Sequence, residues 1–373
     1  MKTPSLKMMR GMLAARVKAV IDVTPHIDLR PDFRKCKANV LVLHGLKENI
    51  YSRPFHDVIE GLYKAHYHVV AFDFPNHGIN VADEKKRGLV EGFWRWVDTT
   101  SVFAYWILIS EKWGAKPTYV LGYSLGALDG VHLLQKKFLV RRGVAGLIQV
   151  APPFSVDHNV SESARRWLPY LKPFRKVAKK VIPNYPVAPP RVITDDPLHD
   201  NGPVKFVTAA EVFDATNEAV APGKIERLRD LAQTAIFHGQ ADTVAPIKDS
   251  FAAFRRIAGG DFDTYLKKRK RNGVKETHSP DGNRKFVQYD QVTHDIFEGS
   301  EGVIPDIIET LDEWVPRAKA EDVFVDDRLI PVEDILVFGW WLMSHALSTL
   351  WETKYHVRYW WRHVRRVFSR EKK

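Results

Sequence analysis

The chain has 373 residues, 45% hydrophobic and 27% charged, enough for one large domain with insertions or for two domains, and ordinary for a globular protein. Its single cysteine, Cys36, excludes an internal disulfide and points to a reducing compartment; neither a thiol nucleophile nor a metal centre is indicated. The formal net charge is +11, but eight Lys or Arg against one acid between Lys354 and Lys373 account for +7 of it, so the basic character is local and predicts a local partner.

Residues 1–37 are expected to be an N-terminal extension. Arg10, Arg16 and Lys18 interrupt its apolar positions, so it lacks the apolar run of a secretory signal. From residue 38, short apolar runs alternate with amphipathic stretches. "ANVLVLHG", "HVVAFDF", "TYVLGYS" and "VAGLIQVAPP" predict strands, with helices over Phe55–Ala65, Phe93–Lys112 and Ala127–Phe138 between them. Strands alternating with helices predict an α/β fold with a mostly parallel central sheet and helices on both faces. The alternation occupies 38–154, lapses over 155–225, a Pro-rich basic stretch expected as a helical cap, and resumes over 226–320. There "LAQTAIFHGQAD" and "KFVQYDQV" predict strands and "VIPDIIETLDEWV" a helix. Residues 267–285, "KKRKRNGVKETHSPDGNRK", are expected to form a basic surface loop, with nucleic-acid binding as the rival reading.

The stretch "YVLGYSLGALDG" sets one serine, Ser124, between two glycines, with an apolar strand before it and a helical pattern after it. A sharp strand-to-helix turn would expose such a serine and requires the glycines on either side. A serine hydroxyl needs a base to take its proton, and the base needs an orienting acid. "IFHGQADTVAP" places Asp242 just past a strand, and "VQYDQVTHDIF" does the same for His294. All three therefore fall at the carboxyl edge of the sheet. Asp290 and Asp295 are rival acids by proximity in sequence, but Asp290 lies within a strand pattern and adjacency rarely gives triad geometry. Backbone N–H groups of Leu125 and of Leu46, in the loop after "VLVLHG", are the expected donors to a tetrahedral oxyanion.

"VLVLHGL", "AFDFPNHG", "LGYSLGA", "HGQADTVAP" and "THDIF", in that order, resemble α/β-hydrolases of the monoacylglycerol lipase and lysophospholipase group, related to the serine aminopeptidases. Asp196-Pro197 in the cap is similar to a segment of the same group. The resemblance spans about residues 38–318. It implies an α/β-hydrolase fold, a serine ester hydrolase acting on a lipid-like substrate through Ser124, Asp242 and His294, and no cofactor or metal. The group's usual Gly-His-Gly is Asn76-His77-Gly78 here, and Asp73 and His77 read as structural residues of that turn. A proline iminopeptidase-type peptidase or an acyltransferase would use the same triad, and a ligand-binding or membrane scaffold on the same fold is the non-enzymatic alternative.

Residues 321–373 lie beyond the resemblance. Ile335–Trp351 is apolar but, at 17 residues, short for a membrane span. After it, Trp360, Trp361, Val364 and Phe368 recur at helical spacing beside Arg358, Arg362, Arg365 and Arg366. This combination predicts peripheral attachment to an anionic inner-leaflet surface in the cytoplasm, with packing on a second subunit as the alternative.

Overall fold

The computed structural model describes residues 17–136, 143–155, 179–189, 194–231 and 233–318. Its core is a nine-stranded sheet in the order β1-β3-β2-β4-β5-β8-β11-β10-β9. Six strands at its centre run parallel: β3 (His68–Phe72), β2 (Asn39–Leu43), β4 (Thr118–Tyr123), β5 (Val144–Val150), β8 (Gln233–Gly239) and β11 (Arg284–Tyr289). Runs such as Val40–Leu43 and Val69–Phe72 are wholly buried. They read as continuous rather than alternating apolar segments because helices cover both faces.

On one face, α1 (Arg53–Lys64) and α6 (Val303–Trp314) bury Phe55, Val58, Ile307, Leu311 and Trp314 against the sheet. On the other, α2 (Phe93–Leu108), α3 (Leu125–Lys136) and α5 (Ile247–Ala258) bury Trp96, Phe103, Leu128, Phe254 and Ile257. The expected strands and helices of 38–154 and 226–320 are therefore present, and the α/β fold class holds. Within the cap, β6 (Pro186–Ala188) pairs with β7 (Val204–Lys205), which leads into α4 (Phe206–Ala219). Most of the cap's expected helical stretch, and the whole C-terminal extension from 321, lie outside the described residues. Among the described residues no helix is long and apolar enough to cross a membrane.

Two expectations are corrected. The extension 1–37 contains β1 (His26–Leu29), which pairs antiparallel with β3 at the sheet's edge, His26 opposite Phe72 and Leu29 opposite Val69. Four half-buried residues give too short a pattern to register as a strand. The expected basic loop is instead a hairpin of β9 (Leu266–Arg271) and β10 (Val274–His278) that extends the sheet beyond β11. Its charges hid the period of two. Lys268, Lys270 and Arg271 face acids rather than a core: Lys268 lies 3.1 Å from Glu276, Lys270 3.1 Å from Asp306, and Arg271 2.7 Å from Asp306.

Trp314 is wholly buried, lies 6.2 Å from the Tyr119 ring and donates its indole N–H to the Gly282 carbonyl at 2.9 Å. Trp314→Ala removes this packing and leaves that carbonyl unpaired, so it should lower unfolding stability by about 3–5 kcal/mol in urea titrations.

Candidate active site

β4 ends at Tyr123 and α3 begins at Leu125, so Ser124 alone makes the turn between them. Its φ is 50°, in the left-handed region that a side-chain-bearing residue occupies at a cost of about 1–3 kcal/mol. The turn is held by Ser124 N–H donating to the Val150 carbonyl at 2.8 Å and by the Ser124 carbonyl accepting from Ala127 N–H at 3.0 Å. The flanking glycines are required by contact. A Cβ on Gly122 would stand 2.4 Å from the Gly126 carbonyl oxygen, and one on Gly126 would stand 2.5 Å from the Leu43 and His44 carbonyls. The elbow is thus wedged between its own helix and the end of β2.

The loops that follow β8 and β11 bring Asp242 and His294 to the same edge. The Ser124 hydroxyl donates to His294 Nε2 at 2.9 Å, and His294 Nδ1–H donates to Asp242 Oδ2 at 2.7 Å. Asp242 Oδ1 accepts from Val244 N–H at 2.7 Å and Ala245 N–H at 2.8 Å. Behind it, His238 is fully buried; its Nε2–H donates to the Ala245 carbonyl at 2.6 Å and lies 3.2 Å from Asp242 Oδ2. Burial alone would raise the Asp242 pKa, but hydrogen bonds from His238, His294 and Ala245 outweigh it and hold the carboxyl well below the usual range. The rival acids stand elsewhere: Asp290 lies 3.4 Å from Lys275, and Asp295 accepts from the Tyr123 hydroxyl at 3.4 Å.

Leu125 is the first residue of α3, so its N–H is one of the helix's free amino-terminal donors. Leu46 lies in the turn Gly45–Glu48, closed by Glu48 N–H to the Gly45 carbonyl at 3.4 Å. Sequence reasoning missed what orients it. His44 is fully buried, donates Nδ1–H to the Gly45 carbonyl at 2.7 Å and accepts from Phe74 N–H at Nε2, 3.0 Å away. That pattern is the neutral imidazole, and burial lowers the His44 pKa to about 3. The Gly45 carbonyl and the Leu46 N–H belong to one planar peptide, so the histidine that fixes one aims the other. Asp73, also fully buried, accepts from Ile50 N–H and Ile79 N–H, each at 2.9 Å, and so ties this loop to the Asn76-His77-Gly78 turn. Burial pushes Asp73 up to about 7 against the pull of those two donors. The "HG" and "AFDFPNHG" motifs carried the signal, but their hydrogen bonds link residues some 30 positions apart.

A cavity of about 260 Å³ opens at Tyr123 and Asp295, the residues next in sequence to Ser124 and His294, and is lined also by Glu48, Tyr51, Phe55, Asp196 and Phe297. Burial and the neighbouring Asp295, Glu298 and Asp196 push Glu48 up to about 7.

With this geometry, the comparisons are decisive for the family. The family described as "Serine aminopeptidase, S33" matches residues 34–271, more than half of the chain. The chain belongs to this family of serine hydrolases. Among solved structures it is similar to monoacylglycerol lipase of Paleococcus ferrophilus, at 18% identity and TM-score 0.54, covering 79% of this chain and 99% of that one. It is also similar to a soluble variant of the monoglyceride lipase of Saccharomyces cerevisiae, at 15% identity and TM-score 0.57, with 79% and 91% covered. A carboxyl esterase of Bacillus coagulans gives 16% identity and TM-score 0.57, with 78% and 94% covered. At these identities the likeness is one of fold, the α/β-hydrolase fold. No curated protein matches the chain in sequence.

Gly126→Ala forces a methyl group against two carbonyls and should cost about 1–3 kcal/mol of stability, measured by denaturation, while also displacing Ser124. Asp242 gives a pH test. Its folded pKa lies below its unfolded value near 3.8, so its stabilising contribution is present above about pH 4 and is lost as pH falls further. The Tm gap between the parent protein and Asp242→Asn should be widest near neutrality and narrow below about pH 4.

Proposed function

We propose that the protein hydrolyses carboxylic esters of lipid-like substrates, of the monoacylglycerol or lysophospholipid type, through Ser124, His294 and Asp242. The observation that carries this reading is His294 bridging Ser124 and Asp242 at 2.9 and 2.7 Å. His294 Nε2 takes the hydroxyl proton as Ser124 Oγ attacks the ester carbonyl. Asp242, kept ionised, holds the proton on Nδ1 and stabilises the imidazolium that forms. The Leu46 and Leu125 N–H groups receive the oxyanion. Collapse of the tetrahedral intermediate expels the alcohol, to which His294 gives its proton. Water, deprotonated by the same histidine, then attacks the acyl-enzyme and frees the acid.

A lipid-like substrate is supported by the apolar surface of the cap. Val181 and Tyr185 are 71% and 61% exposed, and Ile182 and Val187 beside them are also exposed. It is also in keeping with the lipases among the chain's structural neighbours. The aromatic, basic tail would then hold the enzyme peripherally on an anionic inner-leaflet surface. The peptidase reading is favoured by a different observation: Glu48, Asp196, Asp295 and Glu298 around the cavity suit a substrate ammonium.

The test is intact-mass analysis after fluorophosphonate treatment in the presence of lipid, alongside Ser124→Ala. A single adduct on the parent and none on the variant is expected. Turnover should then favour monoacylglycerols or lysophospholipids over aminoacyl amides by at least about 100-fold, a preference of roughly 3 kcal/mol. No adduct on folded protein would end the catalytic reading, and faster turnover of aminoacyl amides would replace esterase with peptidase.

A further inference from the structure

His238 is a histidine at a strand position that calls for an apolar residue. It lies on β8, wholly buried, and Ile236, two residues earlier on the same face, belongs to the apolar core. Its Nε2 faces two acceptors, the Ala245 carbonyl at 2.6 Å and Asp242 Oδ2 at 3.2 Å, so this nitrogen carries a hydrogen and shares it between them. Its Nδ1 is buried and has no hydrogen-bond partner among the described residues. A buried polar atom left unpaired destabilises a fold, so packing alone would favour a leucine here. What the imidazole supplies instead is one N–H aimed at Asp242.

The loops that carry the acid and the histidine of the site are already joined through the backbone. Gln240 N–H donates to the Tyr289 carbonyl at 2.8 Å, and Ala241 N–H to the Val292 carbonyl at 2.9 Å. Val244 and Ala245 N–H hold Asp242 Oδ1. Those bonds set where the carboxylate sits, but Oδ2 must be directed from its own side. Two histidines meet there, His294 Nδ1 at 2.7 Å and His238 Nε2 at 3.2 Å. With both in place the carboxylate accepts four N–H donors, as many as its lone pairs allow. Burial pushes the Asp242 pKa up, and the His238 hydrogen bond is the strongest of the contacts that pull it down.

We propose that His238 is a positioning residue of this site: it anchors Asp242 Oδ2 where His294 Nδ1–H must meet it, and by drawing on that oxygen's charge it limits how tightly an imidazolium is held. It acts through Asp242 and not on the substrate. The assignment rests on the reading of Ser124, His294 and Asp242 as a catalytic set. Removing the donor frees Oδ2 to turn away from His294, which slows proton removal from Ser124. It also leaves fuller negative charge on Oδ2. That charge favours the protonated form of His294, so a higher pH is needed before the histidine acts as a base.

Fluorophosphonate labelling rates of the full-length protein, measured against pH, test the proposal in His238→Leu and His238→Gln. The leucine removes the N–H, and the glutamine returns one from its side-chain amide. His238→Leu should label Ser124 roughly 10- to 100-fold more slowly at neutral pH, the scale of loss expected from a misplaced catalytic group. It should also reach half its maximal rate at a higher pH than the parent. His238→Gln should recover most of the rate. A residue needed only for packing would show neither the shift in pH nor the recovery. Labelling of His238→Leu as fast as the parent would overturn the proposal, as would equal slowing in the two variants. No labelling of the parent would instead end the catalytic reading itself. The parent also gives a test that needs no variant. Nitrogen NMR of its histidines should find the His238 hydrogen on Nε2, and a hydrogen on Nδ1 alone would overturn the assignment.

Discussion

Everything at the site depends on how closely two strand ends approach. Gly126, at the start of α3, sits against the carbonyls of Leu43, the last residue of β2, and of His44 just after it. That contact brings the Ser124 turn and the Gly45–Leu46 turn together, and a single methyl group between them would separate the proposed nucleophile from the proposed oxyanion donor. The strained φ of Ser124 is affordable only because hydrogen bonds from β5 and from the first turn of α3 over-determine it. Parallel strand order does the rest. β2, β4, β8 and β11 all point their carboxyl ends the same way, so residues spread from 46 to 294 converge without any further device.

The two buried aspartates show how environment shifts the same group in opposite directions at one edge of one sheet. Asp242 and Asp73 each accept two backbone N–H bonds. Asp242 has in addition two histidines on its second oxygen, and remains an anion. Among the described residues Asp73 has no such partner at hydrogen-bond distance, with His44 Nε2 3.8 Å away, and burial pushes it up to about 7. The difference matches the tasks proposed for them. An orienting acid must keep its charge while an imidazolium forms beside it, whereas a loop staple needs only its acceptors. His44, held neutral, adds no charge beside the Leu46 N–H, the donor proposed for the oxyanion.

The parts of the fold that were legible in the sequence are those with a local signature. Buried parallel strands announce themselves as β-branched runs, and Ser124 by its glycines. His294 and Asp242 follow because each stands just past such a run. What was not legible had its partner far away in sequence. β1 has four half-buried residues and becomes a strand only by pairing with β3, some 40 positions later. β9 shows no hydrophobic alternation because the surface it packs against is acidic, so Lys270 and Arg271 take the place that Val or Ile would hold over a core. The role of His44 was hidden for the same reason, since its second hydrogen bond reaches Phe74.

The cap segment 194–202 shows that the loop carrying Leu46, the proposed oxyanion donor, is fixed from above as well as below. Asn49 donates to Asp196 at 2.7 Å, Lys47 pairs with Asp200 at 3.0 Å and reaches the Gly202 carbonyl, and Arg87 donates to the carbonyls of Gly78 and Leu198. Asp196 also receives Leu198 N–H, so its carboxylate terminates a turn of its own while gripping the loop below. These bonds join three segments far apart in the chain: the turn after β2, the Asn76-His77-Gly78 turn and the returning limb of the cap. A cap that moved as a unit would drag on residues 47 and 49, one and three positions from the expected oxyanion donor. Displacing residues 194–202 would therefore displace the loop that carries Leu46 as well. The Asp196-Pro197 pair, which drew notice only through a resemblance, has a physical task here: it is where the cap is fastened to the loop that aims the Leu46 N–H.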